Sequence, residues 1–268
     1  MQQGTLKGSY AVQMAIADAV TRAGFTLAIL TGIAAALAGF GSRWGWWHFT
    51  VGFTVLKVAA SGGVAAAVVS LLGGVAKRRE HRVKLFILAA AGIVIGLSTA
   101  GIPWSWLRSA ERLPAINDIT TDMTNPPQFV KIMPLRQKVD APTIYGGSRV
   151  AIQQRAAYPD IQPVILPVSP FTAFATALNV AKDRGWQIVN ADASNGIIEA
   201  VATTFWFGFK DDVVVRVRPA PGGSRIDMRS VSRMGTGDLG ANAVRIRSYL
   251  KSLARNSIVD NGYAVGWN

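Results

Sequence analysis

The sequence predicts an α-helical membrane anchor of three transmembrane helices, followed by a soluble α+β domain. Three observations carry this. Three apolar runs fill residues 1–107, a strongly basic loop separates the second from the third, and residues 108–268 alternate between proline-rich, helical and strand-like patterns. The domain is expected as a four-stranded antiparallel sheet flanked by two helices, with a Pro-rich extended lead-in.

The first apolar run is Gly24–Phe40, the second Phe49–Ala76 (interrupted only by Lys57), and the third Leu85–Ile102. Crossing the hydrocarbon core takes about 20 apolar residues. Helices are therefore expected at about 23–43, 49–76 and 84–106. None of the runs shows the one-sided stripe of a helix lying on a soluble core. The segment Lys77–Lys84 carries five Lys/Arg, as a cytoplasmic loop does, whereas Gly41–His48 has Arg43 as its only certain charge. This places the N-terminus in the cytoplasm and residues 108–268 outside it. Trp44, Trp46 and Trp47 follow run one, and Trp104 and Trp106 follow run three. Both clusters then fall at the outer interface, where indoles prefer to sit. Ala36-Leu37-Ala38 has the small-x-small form of a cleavage site, so run one also reads as a signal sequence; cleavage would leave the domain on the same side. Lys57 is close enough to the outer interface to snorkel.

The net charge of +13 suggests nucleic acid, but its distribution argues against it. Residues 1–113 hold 11 Lys/Arg against 3 Asp/Glu, and residues 114–268 hold 17 against 12. Most of the excess belongs to membrane topology and the anionic lipid surface. With no cysteine, the domain has neither disulfides nor thiol chemistry.

Nine of the twelve prolines lie between 114 and 170, which argues for an extended wrap without helix or central strand. Ile116, Phe129, Tyr158, Ile161, Val164 and Leu166 would pack it on the domain. Ser169-Pro170 is a helix start; Phe171, Phe174, Leu178 and Ala181 share a face, and Gly185 is the stop. Strands are expected at Trp186–Asp192, at Ile197–Phe207 after the Asn195-Gly196 turn, at Val213–Arg218, and at Ser224–Arg233 after Pro221-Gly222-Gly223. A final helix from about Leu239 to Arg255 would present Leu239, Ala243, Ile246, Leu250 and Leu253 to the sheet.

The other sheet face gathers charge. Strand alternation puts Arg216 and Arg218 on one face of the third strand, and Arg225, Asp227, Arg229 and Arg233 on one face of the fourth. The turn register sets Arg216 opposite Asp227 and Arg218 opposite Arg225. Two readings stay open: a solvated face laced with ion pairs, and a surface for an anionic lipid headgroup or polyanionic glycan. Asp227 is the one acid that the pattern assigns to this face.

The chemical inventory is thin. His48 and His81 lie in the membrane loops, and residues 108–268 contain neither His nor Cys. Ser-His-Asp and Cys-His catalysis and the usual zinc ligand sets are thereby excluded. Asp211 and Asp212, being adjacent, read as a turn cap rather than a catalytic pair, and Asp238 as an N-cap. No metal and no cofactor is expected.

Several blocks resemble the domain-of-unknown-function 1499 family over roughly residues 115–255. They are Asn125–Phe129, Tyr158–Asp160, Gly185-Trp186, Thr204–Val217, Gly223–Arg233 and Gly237–Arg247. The three-helix anchor resembles the family's membrane-bound members. The resemblance implies a bacterial or plastid-type envelope protein and no established activity. The expectation is a multi-pass protein of the bacterial inner membrane with a periplasmic, non-enzymatic binding module. Its expected partners are membrane lipids or another envelope protein, and not nucleic acid. An accessory subunit of an inner-membrane complex, docked by the small residues Gly32, Ala36, Ser61, Gly62, Gly63, Gly92 and Gly96, is the alternative. A carboxylate-dependent hydrolase is the third.

Overall fold

The computed structural model describes residues 2–75, 83–136 and 144–260. The basic loop that sets the expected topology, Lys77–Arg82, lies outside the described residues, as does Ala76. Two compact units divide the chain: Met1–Arg108 with Trp206–Gly208, and Ser109–Phe205 with Phe209–Asn268.

The first unit is built on α1 (Gln2–Arg43), α2 (Phe49–Val75) and α3 (Val83–Arg112). Within them, Ala11–Arg43, Phe49–Val75 and Val83–Arg112 are each long and apolar enough to cross a membrane. α3 continues past the expected end at 106. Pro103 lies inside it without ending it. Large apolar side chains such as Val58, Leu72, Phe86 and Val94 face outward, as lipid-facing positions require. Small residues face inward. A Cβ on Gly63 would lie 2.7 Å from the Gly96 carbonyl oxygen, and one on Gly96 would lie 2.4 Å from that of Gly63. α2 and α3 therefore touch backbone to backbone. Gly73 meets Thr21 of α1 in the same way. Two buried threonine hydroxyls are satisfied inside their own helices: Thr21 donates to Ala17 O and Thr99 to Ile95 O, both at 2.8 Å.

The second unit is an antiparallel sheet with helices. Its elements are β1 (Asp118–Thr120), a 3₁₀ turn (Met133–Arg136), α4 (Gly147–Ala157), β2 (Val164–Leu166), α5 (Pro170–Asp183), β3 (Gln187–Asp192), β4 (Ile197–Thr203), β5 (Lys210–Ala220), β6 (Gly223–Ser232) and α6 (Ala241–Asp260). The sheet order is β1-β6-β5-β4-β3, with β2 also on β6. It has six strands, not the four that the pattern predicts. The two extra strands come from the lead-in, end to end along β6: β1 on Arg229–Val231 and β2 on Ser224–Ile226. Three residues are too few to show a period, so neither strand is visible in the sequence.

The lead-in is less extended than its prolines suggest. α4 occupies the proline-free interval between Pro142 and Pro159. Its buried Gln154 donates Nε2 to Thr120 O (2.6 Å) and accepts from Thr120 N (3.0 Å), closing the outer edge of β1 as another strand would. Strand β4 stops at Thr203, short of the predicted Phe207. The chain turns there, with Thr204 N donating to Phe209 O and Thr204 Oγ1 accepting from Phe209 N.

Other starts and turns follow their sequence signals. Ser169 Oγ accepts from Thr172 N at 3.2 Å, and Pro170 opens α5. Pro221-Gly222 forms the two-residue β5–β6 turn, with Gly222 at φ 81°. Asp238 caps the last helix by accepting from the Gly240 and Asn242 amides. Leu239 is not on the packed face as predicted. It adopts φ 53° in the turn before α6 and is exposed.

One core lies between the sheet and its helices, with Ala173, Phe174, Ala177, Val213, Val215, Ile226, Met228, Ile246, Tyr249 and Leu253 at its centre. A second, smaller core lies on the opposite sheet face: Phe129, Ile132, Val201, Val214 and Val231. Phe129 and Ile132 belong to the lead-in, so part of the predicted arginine face is roofed over.

Candidate anion-binding site

The side chains of β5 and β6 that point away from the helices form paired rows. The register sets Asp212 against Val231, Val214 against Arg229, Arg216 against Asp227, and Arg218 against Arg225. The two pairings expected from the turn are both present. The six predicted site residues do not form one surface. They separate into three clusters, each with an acid that sequence reasoning missed or assigned elsewhere.

In the first cluster, Arg216, Arg218 and Arg225 converge on Asp227 and on Asp122, which lies in the bend after β1. Arg216 Nη2 lies 3.1 Å from Asp227 Oδ2 and 3.1 Å from Asp122 Oδ2. Arg218 Nη2 reaches Asp227 at 3.0 Å, and Arg225 Nη2 reaches Asp227 at 2.9 Å and Asp122 at 3.2 Å. Asp227 is fully buried. Arg218 and Arg225 keep 40 % and 35 % of their side-chain surface exposed. Burial pushes Asp227 up, but hydrogen bonds from Arg225 and Arg216 outweigh it and leave its carboxyl below the ordinary value. The hydrogen bonds that Arg225 donates to Asp227 hold its guanidinium above its own ordinary value. Asp227 is therefore not the only acid here, as the strand pattern assigned it.

In the second cluster, Arg229 is fully buried. Its guanidinium forms a two-pronged pair with Asp118, at 2.9 and 2.7 Å, and donates to Pro127 O. The rings of Phe129 and Tyr145 flank it at 5.2 and 5.7 Å. Burial drives the Tyr145 phenol up to about 12. Arg229 is thus no part of an accessible face: the lead-in covers it. In the third cluster, Arg233, just beyond β6, pairs with Asp212 at 2.7 Å. Buried Arg136 reaches the same carboxylate at 2.6 Å.

Asp211 and Asp212 are a correction. They are not a turn cap but consecutive residues of β5, opposite Ser232 and Val231. Strand alternation sends Asp212 to Arg136 and Arg233, and Asp211 to Arg245 of α6. Two carboxylates held on opposite faces by separate arginines cannot share a substrate as an acid–base pair.

Glu199 of β4 was not singled out by sequence. It is fully buried, and its carboxylate accepts three successive main-chain amides, from Val130 (2.6 Å), Lys131 (2.8 Å) and Ile132 (3.4 Å). It pins the lead-in over the second core. Alternation around Glu199 in Ile-Ile-Glu-Ala-Val places a carboxylate on a strand face, but nothing local says that a distant loop will cover it. Asp122 had a weak signal: Asp-Met-Thr-Asn-Pro is a turn sequence, and Asp122 Oδ1 accepts from the Thr124 and Asn125 amides.

Among the described residues, no group of three His, Cys, Asp or Glu could hold a metal ion. What the first cluster can do is bind charge. It presents three guanidiniums around two carboxylates, with two of the three open to solvent.

The model of a family described as proteins of unknown function, DUF1499, matches residues 118–253, a span that contains all three clusters. No curated protein matches the chain.

Proposed function

Because the chain belongs to the DUF1499 family, whose function is unknown, we propose that it is a membrane-anchored envelope protein whose α+β domain is a non-enzymatic module for an anionic group. The reading places this domain on the non-cytoplasmic side of a bacterial inner membrane. It assigns the binding to Arg218 and Arg225, with Arg216 behind them. One observation carries it: the two guanidiniums sit opposite each other on β5 and β6, half-exposed, beside carboxylates too few to neutralise the cluster. Arg229 and Arg233 serve the fold instead, since their partners Asp118 and Asp212 are buried with them. The same pairing supports the non-enzymatic reading, because Asp118, Asp211, Asp212 and Asp227 are each held by arginine. Three membrane-spanning helices are compatible with a lipid ligand. The small residues offered for docking a larger complex are partly taken up within the helical unit, as at Gly63 and Gly96.

The test is a titration of the full chain in neutral detergent with a short-chain anionic phospholipid. Binding should weaken with salt and fall at least about tenfold in Arg218→Ala, Arg225→Ala. The double variant also takes two of three arginines from buried Asp227, so its stability should fall by about 1–3 kcal/mol, and binding is compared well below its melt. Equal binding by the double variant would remove the reading, and protein partners recovered from mild detergent would then lead.

A further inference from the structure

The first cluster does not match its own donors to its acceptors. Arg216 Nη2 has two hydrogens but three acceptors in range: Asp122 Oδ2 (3.1 Å), Asn125 O (2.8 Å) and Asp227 Oδ2 (3.1 Å). The buried Arg216 Nε has no partner among the described residues. Asp227 Oδ2 in turn takes hydrogen bonds from Arg216, Arg218 and Arg225. The two carboxylates are held differently. Asp227 sits in mid-strand on β6, opposite Arg216 of β5, and its side chain is fully buried. Asp122 lies outside any strand. One of its oxygens is turned to its own Thr124 and Asn125 amides and the other to the arginines.

From this we infer that the Arg216–Arg218–Arg225 cluster is a phosphate site whose resident anion is the Asp122 carboxylate, displaced when a phosphate group binds. The inference rests on the anion-binding reading above and names the ligand's chemistry. With Asp122 withdrawn, three guanidiniums facing Asp227 leave a charge of +2. A phosphomonoester carries about −1.5 to −2 at neutral pH and three acceptor oxygens. It matches that charge better than a carboxylate or a phosphodiester, and its oxygens suit the forked donors of arginine. Asp122 can leave without breaking the sheet, since its bend is hydrogen-bonded to its own loop. Approach is past the exposed edges of Arg218 and Arg225.

The test uses the full chain in neutral detergent and three probes: inorganic phosphate, a short-chain phosphatidic acid, and a short-chain phosphatidylglycerol. Asp122→Asn keeps an oxygen for the Thr124 and Asn125 amides and removes the charge. It should bind inorganic phosphate at least about fivefold tighter than the wild type, because phosphate no longer has to displace a charged carboxylate from the arginines. In the wild type, hydrogen exchange at Thr124 and Asn125 should speed up on saturation with phosphate, because the carboxylate that protects them moves. This second measurement decides if the variant does not fold. Phosphatidic acid binding well above phosphate points to a lipid headgroup as the source, and equal binding to a free phosphate. Phosphatidylglycerol should bind more weakly than phosphatidic acid. If Asp122→Asn binds no tighter and the two amides are unchanged or slowed, while Arg218→Ala, Arg225→Ala abolishes binding, displacement is overturned and the anion-binding reading stands. If the wild type and Asp122→Asn bind none of the probes, both fall.

Discussion

Glu199→Gln should loosen the lead-in from the sheet. In the wild type, Glu199 Oε1 accepts from Val130 N (2.6 Å) and Ile132 N (3.4 Å), and Oε2 from Lys131 N (2.8 Å) and Asn190 Nδ2 (3.4 Å). A glutamine replaces one of these oxygens by an NH₂, so a donor faces donors. Each oxygen accepts two of the four, so two hydrogen bonds are lost: a short one to a charged group, about 1.5–3 kcal/mol, and a weaker one at 3.4 Å, and a partly buried N–H is left unpaired, for about 1 kcal/mol more between them. The loss of about 3 kcal/mol should lower the melting temperature of a domain of this size by about 6–12 °C. Near-UV circular dichroism of the full chain in detergent measures the melt. Trypsin gives the local signal, because Lys131 lies within the pinned segment and should be cut faster. A shift under about 2 °C with unchanged cleavage at Lys131 would show that the clamp does not hold the lead-in.

Arg229→Ala leaves buried Asp118 without its partner and should cost about 3–5 kcal/mol in chemical denaturation, whereas Asp118→Ala, Arg229→Met should recover much of that loss. An equal loss in both would place the cost in packing rather than charge. For Asp227 the folded carboxyl lies below its ordinary value. The stability from its ion pairs is therefore present in full above about pH 4 and lost as the pH falls through the folded value. Wild-type melting temperature should drop more steeply than that of Asp227→Asn below about pH 4, and parallel curves would contradict the assignment. Reporters active only outside the cytoplasm should signal when fused after Asn268 and stay silent when fused at Arg79; the reverse pattern would overturn the proposed topology.

Much of this architecture was legible because its causes are local. Runs of apolar residues disclose helices able to span a membrane. Ser169-Pro170, Pro221-Gly222 and Asp238 set their own turns and caps. Period-2 alternation put Arg216 opposite Asp227 and Arg218 opposite Arg225 once the Gly222-Gly223 turn was counted. The interval between Pro142 and Pro159, free of proline, is itself a local signal for α4.

What the tertiary structure alone decided is the fate of each charge. Alternation says which face a side chain takes, not what covers that face. Arg229 became a buried structural cation and Arg218 an exposed one because Phe129 and Ile132 lie over one part of the sheet. The segment lies there because Glu199, nearly seventy residues away in sequence, captures its amides. Asp118 and Asp122, more than a hundred residues before Arg229 and Arg225, are brought to them only when β1 adds to the edge of β6. Pairings over such separations depend on loop closure and on the summed packing of distant elements. No local pattern records either.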